Sequence, residues 1–131
     1  MTSWPDPILR VALWAYEALW LVLIPLVWLY LRKRGRRDPL YAHHISERFG
    51  HAKNPLTGAV WVHAVSLGEM RSATPLIHAL LARGDRVITT HFTPAGRREA
   101  MREFSAEIAT EQMQTLWVPF ETRRAYRRFL T

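Results

Sequence analysis

Ser66-Leu67-Gly68-Glu69-Met70-Arg71 brings a hydroxyl, a backbone position without a Cβ, a carboxylate and a guanidinium into six residues. The run before it, Ala59-Val60-Trp61-Val62-His63-Ala64-Val65, is almost continuously apolar, the pattern of a parallel strand covered on both faces. Small residues at the turn, Ser66 and Gly68, let the chain bend sharply and approach a ligand closely. Glu69 then stands at the carboxyl end of the strand, where open α/β sheets place their binding crevice. A carboxylate there can take a proton from a hydroxyl group, so Glu69 is the candidate general base. The plain alternative is an acidic residue that serves only the dipole of a first helical turn.

The elements that must hold this turn follow in order. Ala73, Leu76, Ile77, Leu80 and Leu81 form an apolar stripe at helical spacing, and Gly84 is the expected stop. Pro75 leaves two readings: a helix that begins with Thr74 as cap, or one that begins near Gly68 and is kinked at Pro75. Arg86 to Phe92 is a short β-rich run, and Thr93-Pro94 opens a helix with Arg97, Arg98, Glu99, Arg102 and Glu103 on solvated faces. A third strand, Gln114 to Val118, ends at Pro119, and Thr122 to Leu130 reads as a basic helix with Arg123, Arg124, Arg127 and Arg128 facing solvent. Strand and helix alternating at this spacing predict an α/β fold with a parallel sheet and right-handed crossovers. His63 and His91 are expected as hydrogen-bonded core histidines, and Trp61 and Trp117 as core.

The chain has 131 residues, no cysteine and a net charge of +7 carried mostly by arginine, with Lys33 and Lys53 the two lysines. Disulfides, thiolate metal sites and a cysteine nucleophile are excluded, and the charge points to an anionic partner. From Val11 to Leu31 the sequence is apolar apart from Glu17, about the length of a bilayer's hydrocarbon core. Trp14, Tyr16, Trp28 and Tyr30 sit toward its ends, and Arg32, Lys33, Arg34, Arg36 and Arg37 follow it. This predicts a membrane anchor in residues 1–37, spanning, with the rest on the cytoplasmic side. Glu17 and Pro25 keep a helix lying in the cytoplasmic leaflet as the alternative. Residues 38–58 read as a linker with some helix, and the adjacent His43-His44 lacks the spacing of a shared metal site. Residues 59–131 read as a partial Rossmann-like domain. No Gly-x-Gly-x-x-Gly follows its first strand and no P-loop is present, which disfavours dinucleotide binding.

Five strings together resemble a known family: Glu47-Arg48-Phe49-Gly50, Trp61-Val62-His63-Ala64-Val65-Ser66-Leu67-Gly68-Glu69, Pro75-Leu76-Ile77, Thr93-Pro94-Ala95-Gly96-Arg97 and Val118-Pro119-Phe120. They are similar to the N-terminal half of 3-deoxy-D-manno-octulosonic acid (Kdo) transferases, membrane-anchored glycosyltransferases of lipopolysaccharide synthesis. The resemblance implies the N-terminal domain of a GT-B fold, two Rossmann-like domains facing across a cleft. It implies an inverting, metal-independent transfer with no cofactor, from CMP-Kdo to a lipid A precursor, at the inner membrane. Glu69 matches the family's general base, and a carboxylate at a helix start is kept ionised by the dipole. Ser66, Gly68 and Arg71 are the candidate substrate contacts, Arg71 either meeting a lipid A phosphate or facing solvent. The chain ends before the family's donor-binding half, so these residues alone are expected to be inactive. Two rivals remain. One is a membrane-tethered module that binds anionic lipid without catalysis. The other, a nucleic-acid binder, ranks last because the aromatics lie in the anchor and the strands rather than among exposed cations.

Overall fold

The structure is a computed structural model and describes residues 6–131, so residues 1–5 of the anchor segment lie outside the described residues. Helix α1 runs from Pro7 to Gly35. Asp6 caps it by accepting from the Leu9 N–H at 3.0 Å, Pro7 takes the first position, and Arg32, Lys33 and Arg34 complement the dipole in the last turn. Strands β1 (Val60–His63), β2 (Val87–His91) and β3 (Met113–Trp117) alternate with α2 (Leu67–Ala82), α3 (Pro94–Glu103), the short α4 (Ser105–Ala109) and α5 (Arg123–Leu130). The sheet has the order β1-β2-β3, all parallel, with His63 beside Thr90 and Thr90 beside Leu116. The protein is therefore an α/β fold carrying an apolar N-terminal helix.

One sheet face packs on α2 and α3. Val87 and Met113 meet Met70, Ile77 and Leu81 of α2 and Ala100 of α3, with Phe104 closing the cluster. Each of these large apolar side chains contributes about 1.5–3 kcal/mol by leaving water. The central strand β2 is buried at all five positions, as a strand covered on both faces must be. The edge strand β1 behaves differently: its residues alternate, and Trp61 and His63 are exposed. Trp61 is 39% accessible, so its expected core position is corrected, whereas Trp117 is fully buried. The reason is that β1 is an edge strand whose outer face meets Tyr126 and Phe129 of α5 rather than a broad layer.

Helix α2 begins at Leu67 with Ser66 as its N-cap, and Pro75 sits inside it, which decides between the two readings of Pro75. Its buried stripe is Met70, Ile77 and Leu81, while Leu76 is 56% exposed. Ala73 and Leu80 pack partly buried against the same core, so of the expected stripe only Leu76 lies off the core face, and Met70 joins it one turn earlier.

Residues 38–58 are more than a linker. They form two 3₁₀ turns, Pro39–Tyr41 and Ile45–Phe49, and the second buries Glu47 and Arg48 against the outer edge of β3. Glu47 accepts from the Trp117 N–H at 2.8 Å and from both terminal nitrogens of Arg97 at 2.7 and 3.2 Å. Arg97 is thus buried, not solvated: the Ile45–Phe49 turn covers that side of α3.

Candidate functional site

The turn from β1 into α2 is fixed by its own polar groups. The Ser66 hydroxyl accepts from the Glu69 N–H at 3.4 Å, and the Glu69 carboxylate reaches back to accept from the Val65 N–H at 2.9 Å and the Ser66 hydroxyl at 3.3 Å. This is close to a capping box, shifted by one residue. The Val65 carbonyl is held in turn by the N–H groups of Phe92 and Thr93 and by the Thr93 hydroxyl. Gly96, in the first turn of α3, lies so near that a Cβ there would stand 3.1 Å from the Ser66 carbonyl carbon and 3.2 Å from His91 Nδ1. The loop after β2 thereby clamps the turn that bears Glu69.

Glu69 is exposed, and among the described residues no cation pairs with it. Gly68 beside it is open: a Cβ there would meet nothing within 4 Å. Arg71 points the other way, pairing with Glu99 at 3.0 Å while remaining largely accessible. Arg102 and Arg71 hold the Glu99 carboxyl below the usual range through their hydrogen bonds. Of the four residues singled out in the sequence, the structure brings Ser66, Gly68 and Glu69 into one turn and ties Arg71 to α3.

A cleft of about 190 Å³ opens at the carboxyl ends of the three strands. His63 and Val65 of the first strand segment, Phe92 after β2 and Phe120 after β3 line it, and Trp20 of α1 closes one side. Glu69 is not one of the lining residues; it is joined to the cleft through its bond to the N–H of Val65, which is. His63 was expected in the core. It is instead exposed here, with Nδ1 bound at 2.8 Å to the Thr90 hydroxyl, which also accepts from the Trp61 indole N–H. Beneath the cleft lies Arg48, wholly buried. Its Nη2 donates to the Phe92 carbonyl, while Nε and Nη1 have no hydrogen-bond partner among the described residues. The guanidinium is placed over the Trp117 ring at 4.4 Å and the Phe92 ring at 5.3 Å, so aromatic faces offset part of its lost hydration. Burial still lowers its pKa to about 10, and it remains a cation at neutral pH.

His91 does sit in the core. Nδ1 donates to the Ala64 carbonyl at 2.8 Å and Nε2 accepts from the Thr89 hydroxyl at 3.0 Å. Burial pushes its pKa down to about 4, so it is a neutral structural ring behind the Ser66 turn. Sequence reasoning missed Trp20, Arg48 and Phe120 as parts of the cleft. Trp20 reads as one more residue of an apolar run, and Arg48 falls in a stretch that reads as a linker. Only the Arg-Phe-Gly string hinted at the latter.

The family model for 3-deoxy-D-manno-octulosonic-acid transferase (kdotransferase) matches residues 43–131, which include the Glu47 turn, the Glu69 turn and all three strands. The chain belongs to the Kdo transferase family. Among curated relatives, the 3-deoxy-D-manno-octulosonic acid transferase of Bordetella pertussis is 47% identical over 116 residues, covering 82% of this chain and 26% of the relative. A probable mitochondrial 3-deoxy-D-manno-octulosonic acid transferase of Arabidopsis thaliana is 33% identical, covering 88% of this chain and 26% of its own length. The Haemophilus influenzae transferase is 29% identical over 71% of this chain and 23% of its own length. The chain thus spans about a quarter of the length of these relatives. No solved structure matches it.

Proposed function

We propose that this chain is the acceptor-side part of an inverting, metal-independent glycosyltransferase of GT-B architecture that moves Kdo from CMP-Kdo to a lipid A precursor. Residues 1–37 hold it to the cytoplasmic face of the inner membrane, and residues 59–131 carry the acceptor side. The observation that carries this reading is Glu69: an exposed carboxylate with no ion pair among the described residues, in the turn that follows β1, hydrogen-bonded to Val65 of the cleft that Trp20 of α1 closes on one side.

Glu69 takes the proton of an acceptor hydroxyl as that oxygen attacks the anomeric carbon of Kdo, and CMP departs from the opposite face. Two donors already occupy the carboxylate, Val65 N–H and the Ser66 hydroxyl, out of about four acceptor positions. The remaining lone pairs serve the incoming hydroxyl, while the two fixed bonds aim the group. Open space over Gly68 admits the acceptor, and Arg71 exchanges its contact with Glu99 for an acceptor phosphate. Because the chain corresponds to a quarter of its relatives, transfer by residues 1–131 alone is expected to be nil.

The test joins residues 1–131 to the remainder of the Bordetella pertussis transferase and follows Kdo transfer from CMP-Kdo to a lipid A precursor. Glu69→Gln should cost about 10²–10⁴-fold in turnover with acceptor binding retained. Turnover within about threefold of the unmodified chimera would remove the base role.

A further inference from the structure

We infer that α1 lies in the plane of the membrane, with its half-buried face toward the α/β domain and its outer face inserted into one leaflet, instead of crossing the bilayer. This rests on the reading of α1 as the membrane-holding element and fixes its orientation.

The burial pattern along the helix carries the argument. Between Val11 and Leu31 the residues that are not exposed are Leu13, Glu17, Trp20, Leu23, Ile24, Val27 and Leu31. Their spacing of three and four residues describes one face, and Leu31 is buried outright. From Leu13 to Leu31 that face runs for about 27 Å, nearly the whole thickness of a hydrocarbon core. Contacts from Tyr16, Glu17 and Trp20 pin this part of the helix to residues 120–123. Glu17 accepts from the Arg123 N–H at 2.8 Å at the start of α5, the Tyr16 hydroxyl donates to Glu121 at 2.6 Å, and Trp20 lies against Phe120 with ring centroids 5.9 Å apart. A spanning arrangement would tear these contacts away and leave Glu17 in hydrocarbon.

The outward face has the opposite character. Val11, Trp14, Ala18, Val22, Leu26 and Leu29 are all exposed, and Glu17, the one charged residue between Val11 and Leu31, is turned inward. A helix lying on a water-soluble domain would normally carry polar residues there. An apolar ridge of this length needs an apolar partner along its whole length, as a leaflet provides. Charge selects the leaflet over a second copy of the chain. Arg32, Lys33, Arg34, Arg36 and Arg37 crowd one end, with Arg32 over Trp28 at 5.3 Å and Arg34 over Tyr30 at 5.5 Å. Anionic head groups neutralise such a cluster, whereas two copies packed side by side in parallel would oppose like charges. Trp20 is both part of the inward face and a wall of the cleft at the strand ends. Lying flat, α1 therefore sets that cleft at head-group level, where a lipid-borne hydroxyl can enter.

The chain has no cysteine, so single-cysteine variants report one site each. Val11→Cys, Val22→Cys and Leu29→Cys, all outward, are labelled with an environment-sensitive fluorophore and bound to vesicles of phosphatidylethanolamine and phosphatidylglycerol. Flotation is measured first, and depth is then read from quenching by lipids spin-labelled at shallow and deep acyl positions. In-plane insertion gives the same shallow depth at all three sites, each reached from one side of the vesicle. A profile deepest at Val22, with Val11 and Leu29 quenched from opposite sides, would overturn the orientation while leaving membrane attachment intact. Failure to float would overturn the attachment itself, and the orientation with it.

Discussion

Replacing Glu47 by Gln tests how the 3₁₀ turn is welded to the sheet. In the native protein its two carboxylate oxygens take three donors: Arg97 Nη1 at 2.7 Å, Arg97 Nη2 at 3.2 Å and the Trp117 N–H at 2.8 Å. The side chains of Arg97 and Glu47 are 6% and 8% accessible, so water cannot substitute. Arg48 lies close by over the same indole ring, and the cluster therefore holds two cations and one anion. Glutamine preserves the shape, removes the anion and turns an NH₂ group toward a guanidinium or a backbone N–H. Breaking a buried pair in this way costs about 3–5 kcal/mol. That is a large share of the roughly 5–15 kcal/mol that holds a domain together. Urea unfolding followed by tryptophan fluorescence in mild detergent reads the loss as a lower midpoint. Arg98→Gln, which breaks the more exposed pair with Asp38, is the control and should cost no more than about 1 kcal/mol. If Glu47→Gln falls within the same margin, the cluster is not buried as described and the argument fails.

Two further outcomes follow from the same interior. His91 has a folded pKa of about 4, well below the ordinary histidine value, so the unfolded chain takes up a proton that the native one refuses as the pH falls. The stability is whole above about pH 6.5 and is lost toward pH 4, about 2 kcal/mol of it by pH 5. Comparing unfolding at pH 7 and pH 5 in the native protein and in His91→Gln checks this, because the pH-dependent part should vanish in the variant. Gly50 has φ +81°, and a Cβ there would fall 2.2 Å from the Ala125 carbonyl oxygen of α5. Gly50→Ala should cost about 1–3 kcal/mol from the backbone strain alone, and more from the clash, with α5 exchanging amide hydrogens faster than α2.

Where the structure departs from the sequence reading, the departures have a common origin in contacts between distant segments. Arg97 reads as a solvated helix residue because its neighbours Arg98 and Glu99 are charged, yet a turn fifty residues earlier covers it. His63 reads as buried because its strand is apolar, yet β1 lies at the sheet edge and exposes every second residue. Arg48 and Trp20 reach the cleft through pairings that no local window contains.

Local chemistry is written in the chain itself. Thr93-Pro94 begins α3, Thr122 caps α5, and Ser66 followed by Glu69 builds its own turn, because caps involve residues only a few positions apart. The apolar length of α1 and the strand–helix alternation are equally legible, since periodicity records which faces leave water. Tertiary structure alone decided which side of α1 meets the protein, how the Ile45–Phe49 turn seals β3, and where the cleft opens. Those outcomes depend on charges and rings from remote segments meeting in a medium of low dielectric, where each must find a partner and nearby sequence does not name it.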